Sequence, residues 1–142
     1  MRVRYQDSIE FKALKRLKKI RSTIVLREDF NDLGSYRQIS RVFRQLIAEN
    51  KLVKIGAGVY AKAYMSEILN KPVIQGGFDQ ACKEALTKKG IKWEPGSAEQ
   101  DYNAGRSTQI PARTIVQLKS RYRGHLSYGN RKLMMEKGIN AK

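Results

Sequence analysis

The strongest constraint on the fold is a helical repeat of apolar residues between positions 36 and 49. Apolar side chains recur there at spacings of three and four residues, which places them on one face of an α-helix. They are Ile39, Val42, Phe43, Leu46 and Ile47. Ser35 is the predicted N-cap, and Asn50 is the predicted residue that ends the helix. One side of this helix must therefore be buried against a core, while the other side faces water.

The segments around this helix predict a helix-turn-helix with a hairpin. Residues 8–20 form an amphipathic helical pattern, and the β-branched run 23–27 predicts a short strand. A short second helix follows over residues 28–34, and its last residue, Gly34, is expected to adopt a positive φ. Two β-rich runs joined by a glycine-containing turn predict a hairpin over residues 52–61. This order of elements is typical of a winged helix-turn-helix, which presents one helix to the major groove of DNA.

The remainder of the chain predicts a smaller, β-rich part. Residues 65–77 are expected to form a connector, residues 78–89 a helix, and residues 94–110 an ordered or mobile loop. Residues 113–118 predict a strand, and residues 122–135 predict a second hairpin. The predicted fold class is thus α+β: an N-terminal winged helix-turn-helix followed by a helix and a small β-rich C-terminal subdomain. The predicted boundaries are 1–64 for the winged helix-turn-helix, 65–92 for the connector and helix, and 93–142 for the basic C-terminal subdomain.

The charge of the chain indicates an anionic partner. Lys and Arg number 29 against 13 Asp and Glu, which gives a net charge of +16. Such a charge disfavours the compact state by self-repulsion unless a polyanion compensates it. Nucleic acid is the first expectation and an anionic membrane surface the second, with a purely solvated basic surface as the alternative. Apolar runs are too short to span a bilayer, and the N-terminus has no apolar signal region, so we expect a cytoplasmic protein that binds no membrane.

Catalytic and metal-binding patterns are not recognisable in the sequence. The only cysteine is Cys82 and the only histidine is His125, so neither an internal disulfide nor a cluster of metal ligands is expected. No nucleophile motif accompanies His125, and no carboxylate pair stands out. We therefore expect a protein that is not an enzyme and that uses no cofactor or metal.

The candidate DNA contacts lie on three parts of the chain. Those on the polar face of the long helix are Ser35, Tyr36, Arg37, Gln38, Ser40, Arg41 and Arg44. Arg and Gln side chains can read guanine and adenine edges, whereas Ser and Tyr can reach phosphates. In the predicted wing the candidates are Lys54 and Lys62. In the C-terminal subdomain they are Arg113, Lys119, Arg121 and Arg123.

The residues from 27 to 64 resemble the N-terminal winged helix of bacterial AbiEi-like antitoxins and related transcriptional regulators. The resemblance rests on Asp29-Phe30, on the Arg- and Leu-containing helix from Arg41 to Leu46, and on the wing sequence Gly58-Val59-Tyr60. A segment from Asn103 to Pro111 that leads into predicted strands is similar to short members of this group. The resemblance implies duplex-DNA binding and autoregulation and, for true antitoxins, a nucleotidyltransferase-type toxin as partner. By comparison with full antitoxins, a chain of this length is expected to lack most of their larger C-terminal domain.

Several alternatives stay open at this point. An RNA-binding protein could stack unpaired bases on Tyr102, Tyr122 and Tyr128 in the basic C-terminal part. A nuclease using His125 and a protein that binds only protein partners are weaker alternatives. The sequence does not determine the oligomeric state, although a dimer on DNA would fit this class of regulator.

Overall fold

The structure is a computed structural model of the chain, and it describes residues 8–106, 115–122, 124–129 and 131–137. Helices and mainly antiparallel sheets make up the fold, so the predicted α+β class is confirmed. The chain divides into two compact units on either side of the bond between Gly77 and Phe78. We refer to these as unit 1 and unit 2.

Three helices in unit 1 agree with the sequence prediction. Helix α1 spans Ile9–Lys19, and the Ser8 hydroxyl caps it by accepting a hydrogen bond from the Phe11 amide at 3.1 Å. The short second helix is a 3₁₀ helix over Arg27–Leu33. Helix α2 spans Tyr36–Ala48. Its start is fixed by a capping box, in which the Ser35 and Gln38 side chains each bind the other residue's backbone amide.

Four strands form the sheet of unit 1. They are β1 (Ile24–Leu26), β2 (Leu52–Gly56), β3 (Val59–Ser66) and β4 (Lys71–Ile74). Strand β3 pairs antiparallel with the other three: β2 lies along one side, while β1 and then β4 lie along the other. The β2–β3 turn contains Gly58 with a φ of 69°, a conformation that glycine adopts without strain.

The core of unit 1 is built around Phe43 of α2. Its ring stacks on Tyr60 of β3 at a centroid distance of 4.4 Å and meets the edge of Phe30 at 5.3 Å. The apolar residues of α1, α2 and the sheet surround these rings. The predicted apolar face of the long helix is therefore confirmed, with Ile47 at its half-buried margin.

Two predictions in unit 1 are wrong. Gly34 has a φ of 177°, an extended conformation open to any residue, so it is not needed for a positive φ. An added Cβ there would lie 2.8 Å from Gln38 Oε1 and from Ile9 Cδ1, the ends of two flexible side chains that would have to shift. The predicted connector over residues 65–77 also contains regular structure, because β3 runs to Ser66 and β4 returns along it.

Unit 2 contains two helices and five strands in its described part. They are α3 (Phe78–Lys88), β5 (Trp93–Pro95), α4 (Ser97–Asn103), β6 (Ile115–Leu118), β7 (Ser127–Tyr128), β8 (Arg131–Lys132) and β9 (Met134–Lys137). One sheet has the order β5-β6-β9, in which β9 pairs with β6 in parallel, and β7 pairs with β8. Helix α3 buries one apolar face, and burial together with Asp79 raises the pKa of the Cys82 thiol to about 12.

The sequence prediction for unit 2 needs correction in two places. The expected loop over residues 94–110 begins inside β5 and contains α4. The expected hairpin over residues 122–135 has only two residues in each strand, and the chain beyond Leu133 pairs with β6 instead. Parallel pairing of strands that are distant in sequence leaves no local signal, which explains the error.

Gly96 provides a test of the close packing in unit 2. Its amide donates to the carbonyl oxygen of Ile115 at 2.8 Å, and an added Cβ would lie 2.7 Å from that same oxygen. We expect Gly96→Ala to lower the free energy of unfolding by about 1–2 kcal/mol, because the β5–β6 contact must widen. Urea unfolding would measure this change. As a control, Asn103→Ala changes an exposed residue of α4 and should have little effect.

Candidate nucleic-acid interface

Helix α2 carries three exposed arginines on the side opposite its buried face. Arg37, Arg41 and Arg44 follow one another at spacings of four and three residues, so they share one stripe along the helix. Within the described chain, none of the three guanidinium groups forms a hydrogen bond or an ion pair. We call these three residues the α2 arginine face. It can offer planar, bidentate donors to an external ligand.

The other predicted contacts on α2 already have partners within unit 1. The Ser35 and Gln38 side chains form the capping box, and the Ser40 hydroxyl accepts a hydrogen bond from Arg27 at 2.6 Å. Tyr36 is 76% exposed and is covered on one side by a guanidinium group. These four residues lie beside the α2 arginine face but are partly occupied in maintaining the start of the helix.

Arg27 contacts Tyr36 and Ser40 at the start of α2, a role that the sequence did not predict. Its guanidinium carbon lies 3.8 Å from the centre of the Tyr36 ring, and its Nη2 atom also donates to the Tyr36 carbonyl at 2.6 Å. The Arg27 amide donates to the Gly58 carbonyl at 3.0 Å. Arg27 therefore connects the β2–β3 turn to the first turn of α2. The sequence placed Arg27 at the end of a predicted strand, which gave no indication of this role.

The two wing lysines differ in their surroundings. Lys54 is exposed on β2. Lys62 is half-buried in the sheet, and its ammonium group donates to the carbonyl oxygen of Ile20 just beyond α1. Lys54 is thus the more accessible of the two cations.

Arg16 is less available to an external anion than the α2 arginine face, because it forms an ion pair within unit 1. Arg16 of α1 binds both carboxylate oxygens of Asp32, with Nη2 to Oδ2 at 2.9 Å, and it also donates to the Asp29 carbonyl. This hydrogen-bonded pairing holds the pKa of Asp32 below its ordinary value. Arg16 therefore fixes the 3₁₀ helix against α1.

The predicted contacts in unit 2 are only partly within the described residues. Lys119 lies 3.5 Å from a carboxylate oxygen of Glu94, and Arg121 is exposed. Arg113 and Arg123 lie outside the described residues. Among the tyrosines of the RNA-binding alternative, Tyr102 is exposed, whereas Tyr122 and Tyr128 are half-buried. Burial raises the pKa of Tyr122, and the ammonium group of Lys89 lies 5.9 Å from its ring centre.

Neither a metal-binding group nor a membrane-spanning helix is found in the described residues. No set of three His, Cys, Asp or Glu side chains there is placed so that it could hold a metal ion. The helices over these residues are all too short or too polar to cross a bilayer.

Comparison with known proteins gave no assignment. No protein family, no curated protein and no solved structure gives a significant match to the chain.

Proposed function

We propose that this protein binds duplex DNA in a sequence-specific way and regulates transcription, with α2 as the recognition helix of a winged helix-turn-helix. The observation that carries the proposal is the α2 arginine face: three exposed guanidinium groups without an internal partner among the described residues. From Arg37 to Arg44 the face extends over about 10 Å of helix, the rise of about three base pairs. Arginine is the side chain most suited to reading guanine in the major groove.

The architecture around α2 supports this proposal. The capping box fixes the first turn of α2, which carries the positive end of the helix dipole. The β2–β3 hairpin follows α2 directly and presents Lys54 to solvent. In the proposed complex α2 enters the major groove and the hairpin contacts the flanking phosphates.

Salt dependence tests the electrostatic part of the proposal. The basic residues of the chain should neutralise about 5–8 phosphates, so log K should fall with log salt at a slope of about −4 to −7. Fluorescence anisotropy of a labelled duplex over a series of KCl concentrations measures this slope. A slope near zero would contradict phosphate binding.

Selection from a random duplex library tests the sequence-specific part. We expect enrichment of a short motif that contains guanine, because arginine binds guanine O6 and N7 in bidentate fashion. Competition with single-stranded RNA of equal length should displace little of the protein from the selected duplex. Preferential binding to RNA would instead favour the alternative function. Partnership with a toxin, as the resemblance to antitoxins implies, stays a prediction.

A further inference from the structure

A second basic surface lies on α1, away from the α2 arginine face. Its exposed cations are Lys12, Lys15, Lys18 and Lys19. We call these four residues the α1 lysine face. At 100° per residue they lie on the side of the helix opposite the buried Ala13 and Leu17. In the part of the chain that the structure describes, their ammonium groups form no hydrogen bond or ion pair.

The charge of this face has no compensation within the helix. Residues 12–21 contain six Lys or Arg and no acidic residue. Glu10, the one acidic residue of α1, accepts a hydrogen bond from Gln45 of α2 at 2.8 Å. Lys18 and Lys19 lie in the last turn, where cations stabilise a helix, but Lys12 and Lys15 do not. Like charges three and four residues apart destabilise a helix, so an external anion would relieve this repulsion.

The packing of α1 against α2 separates the two basic faces. Ala13 and Leu17 of α1 belong to the same buried cluster as Ile39 and Phe43 of α2. Glu10, which contacts Gln45 of α2, lies about 140° around α1 from Lys15 at 100° per residue, so the α1 lysine face points away from α2. A rigid duplex bound along α2 would lie on a different side of unit 1 from the α1 lysine face.

We infer that the α1 lysine face binds the phosphate backbone of a second DNA segment, so that one chain bridges two duplexes. This inference rests on the proposed function, because the α2 arginine face must hold the first duplex. From Lys12 to Lys19 the face extends over about 10 Å, which matches several phosphates of one strand. It carries flexible lysines and no aromatic or amide side chain, which suits contact with any sequence.

An anionic membrane surface fits this face less well than DNA. Membrane-surface helices bury their apolar side in the lipid. In α1 that side is already occupied by the core, with Ala13 only 1% and Leu17 only 8% exposed. Only the charged side of α1 is therefore available to a lipid surface, and no apolar side is left to insert.

A bridging assay tests the inference with the full chain. A biotinylated duplex on beads is incubated with the protein and a second, fluorescent duplex, and the captured fluorescence is measured. The test variant replaces all four residues of the α1 lysine face by Gln. The control variant makes the same charge change at four exposed lysines elsewhere: Lys71, Lys89, Lys92 and Lys132. Circular dichroism and thermal unfolding establish that both variants are folded.

We expect the test variant to bind a single 20-base-pair duplex within about threefold of the wild type while capturing at least tenfold less of the second duplex. The control variant should retain capture within about threefold. Equal capture by the test variant and the wild type would overturn the inference, as would a wild type that binds one duplex but captures no second. Loss of single-duplex binding in the test variant would also overturn it, because the two faces would then form one site.

Two further measurements are needed: binding of a single duplex by the wild type, which tests the proposed function, and binding to lipid vesicles, which tests the lipid alternative for the α1 lysine face. A wild type that binds no duplex would contradict the proposed function itself. Sedimentation with phosphatidylserine vesicles that depends on the α1 lysine face, combined with unchanged bridging, would overturn the inference and assign the face to lipid.

Discussion

Replacing Phe43 by Ala is expected to lower the free energy of unfolding by about 3–5 kcal/mol. The Phe43 ring is 2% exposed and lies between Tyr60 and Phe30, with which it makes stacked and edge contacts. Its removal leaves a cavity between α2 and the sheet and also removes the aromatic contacts. Such a loss is a large share of the stability of a small domain. Urea unfolding followed by circular dichroism at 222 nm measures it.

Arg44→Ala is the matched control for this prediction. Arg44 is the next residue of α2, but its side chain points to solvent and has no partner among the described residues. Alanine favours the helix slightly more than arginine does, so the free energy of unfolding should change by less than about 0.5 kcal/mol. Comparable losses in both variants would mean that the buried face of α2 is assigned incorrectly.

The second large effect is expected on DNA binding. Arg37→Ala and Arg41→Ala should each weaken binding to the selected duplex by about 1–3 kcal/mol, which is about 5- to 150-fold. Both side chains belong to the α2 arginine face and are free of internal partners in the described structure. Each variant should also lose its preference at one position of the motif. Anisotropy titrations on the selected duplex and on single-base variants measure both effects.

Lys54→Ala separates affinity from specificity. Lys54 is exposed on the hairpin strand β2 and not on α2. Its loss should weaken binding to all sequences by a similar factor and reduce the salt slope by about one. If both arginine variants bind the selected duplex as tightly as the wild type, α2 is not the recognition helix.

The sequence was most informative where the structure of a helix or strand depends mainly on the residues of that same segment. Helix α2 was predictable because its apolar residues repeat with the helical period and because Ser35 is a favoured N-cap residue. The exposed position of the α2 arginine face then followed from the position of the buried face on the same helix.

Features that depend on distant contacts could not be predicted in this way. The close approach of Gly34 to Ile9 Cδ1 depends on the packing of α1 beside the start of α2. Arg27 reaches Tyr36 and Ser40 only because the 3₁₀ helix turns back towards α2. The pairing of β9 with β6 joins segments that no local pattern connects.

Among the described strands, β4 lies at one edge of the unit 1 sheet. The Gln75 amide donates to the Lys62 carbonyl, so the Gln75 amide points towards β3. Backbone amides point alternately to the two sides of a strand, so position 73 also faces β3 and position 72, which is Pro72, faces away from it. Proline has no amide hydrogen, so this edge lacks a donor where a further strand would need one. Strand-by-strand growth into aggregates is thereby disfavoured on this side of the sheet. In the proposed complex many copies of the protein would lie close together along one DNA molecule. An edge that disfavours strand pairing would keep these copies from polymerising with one another.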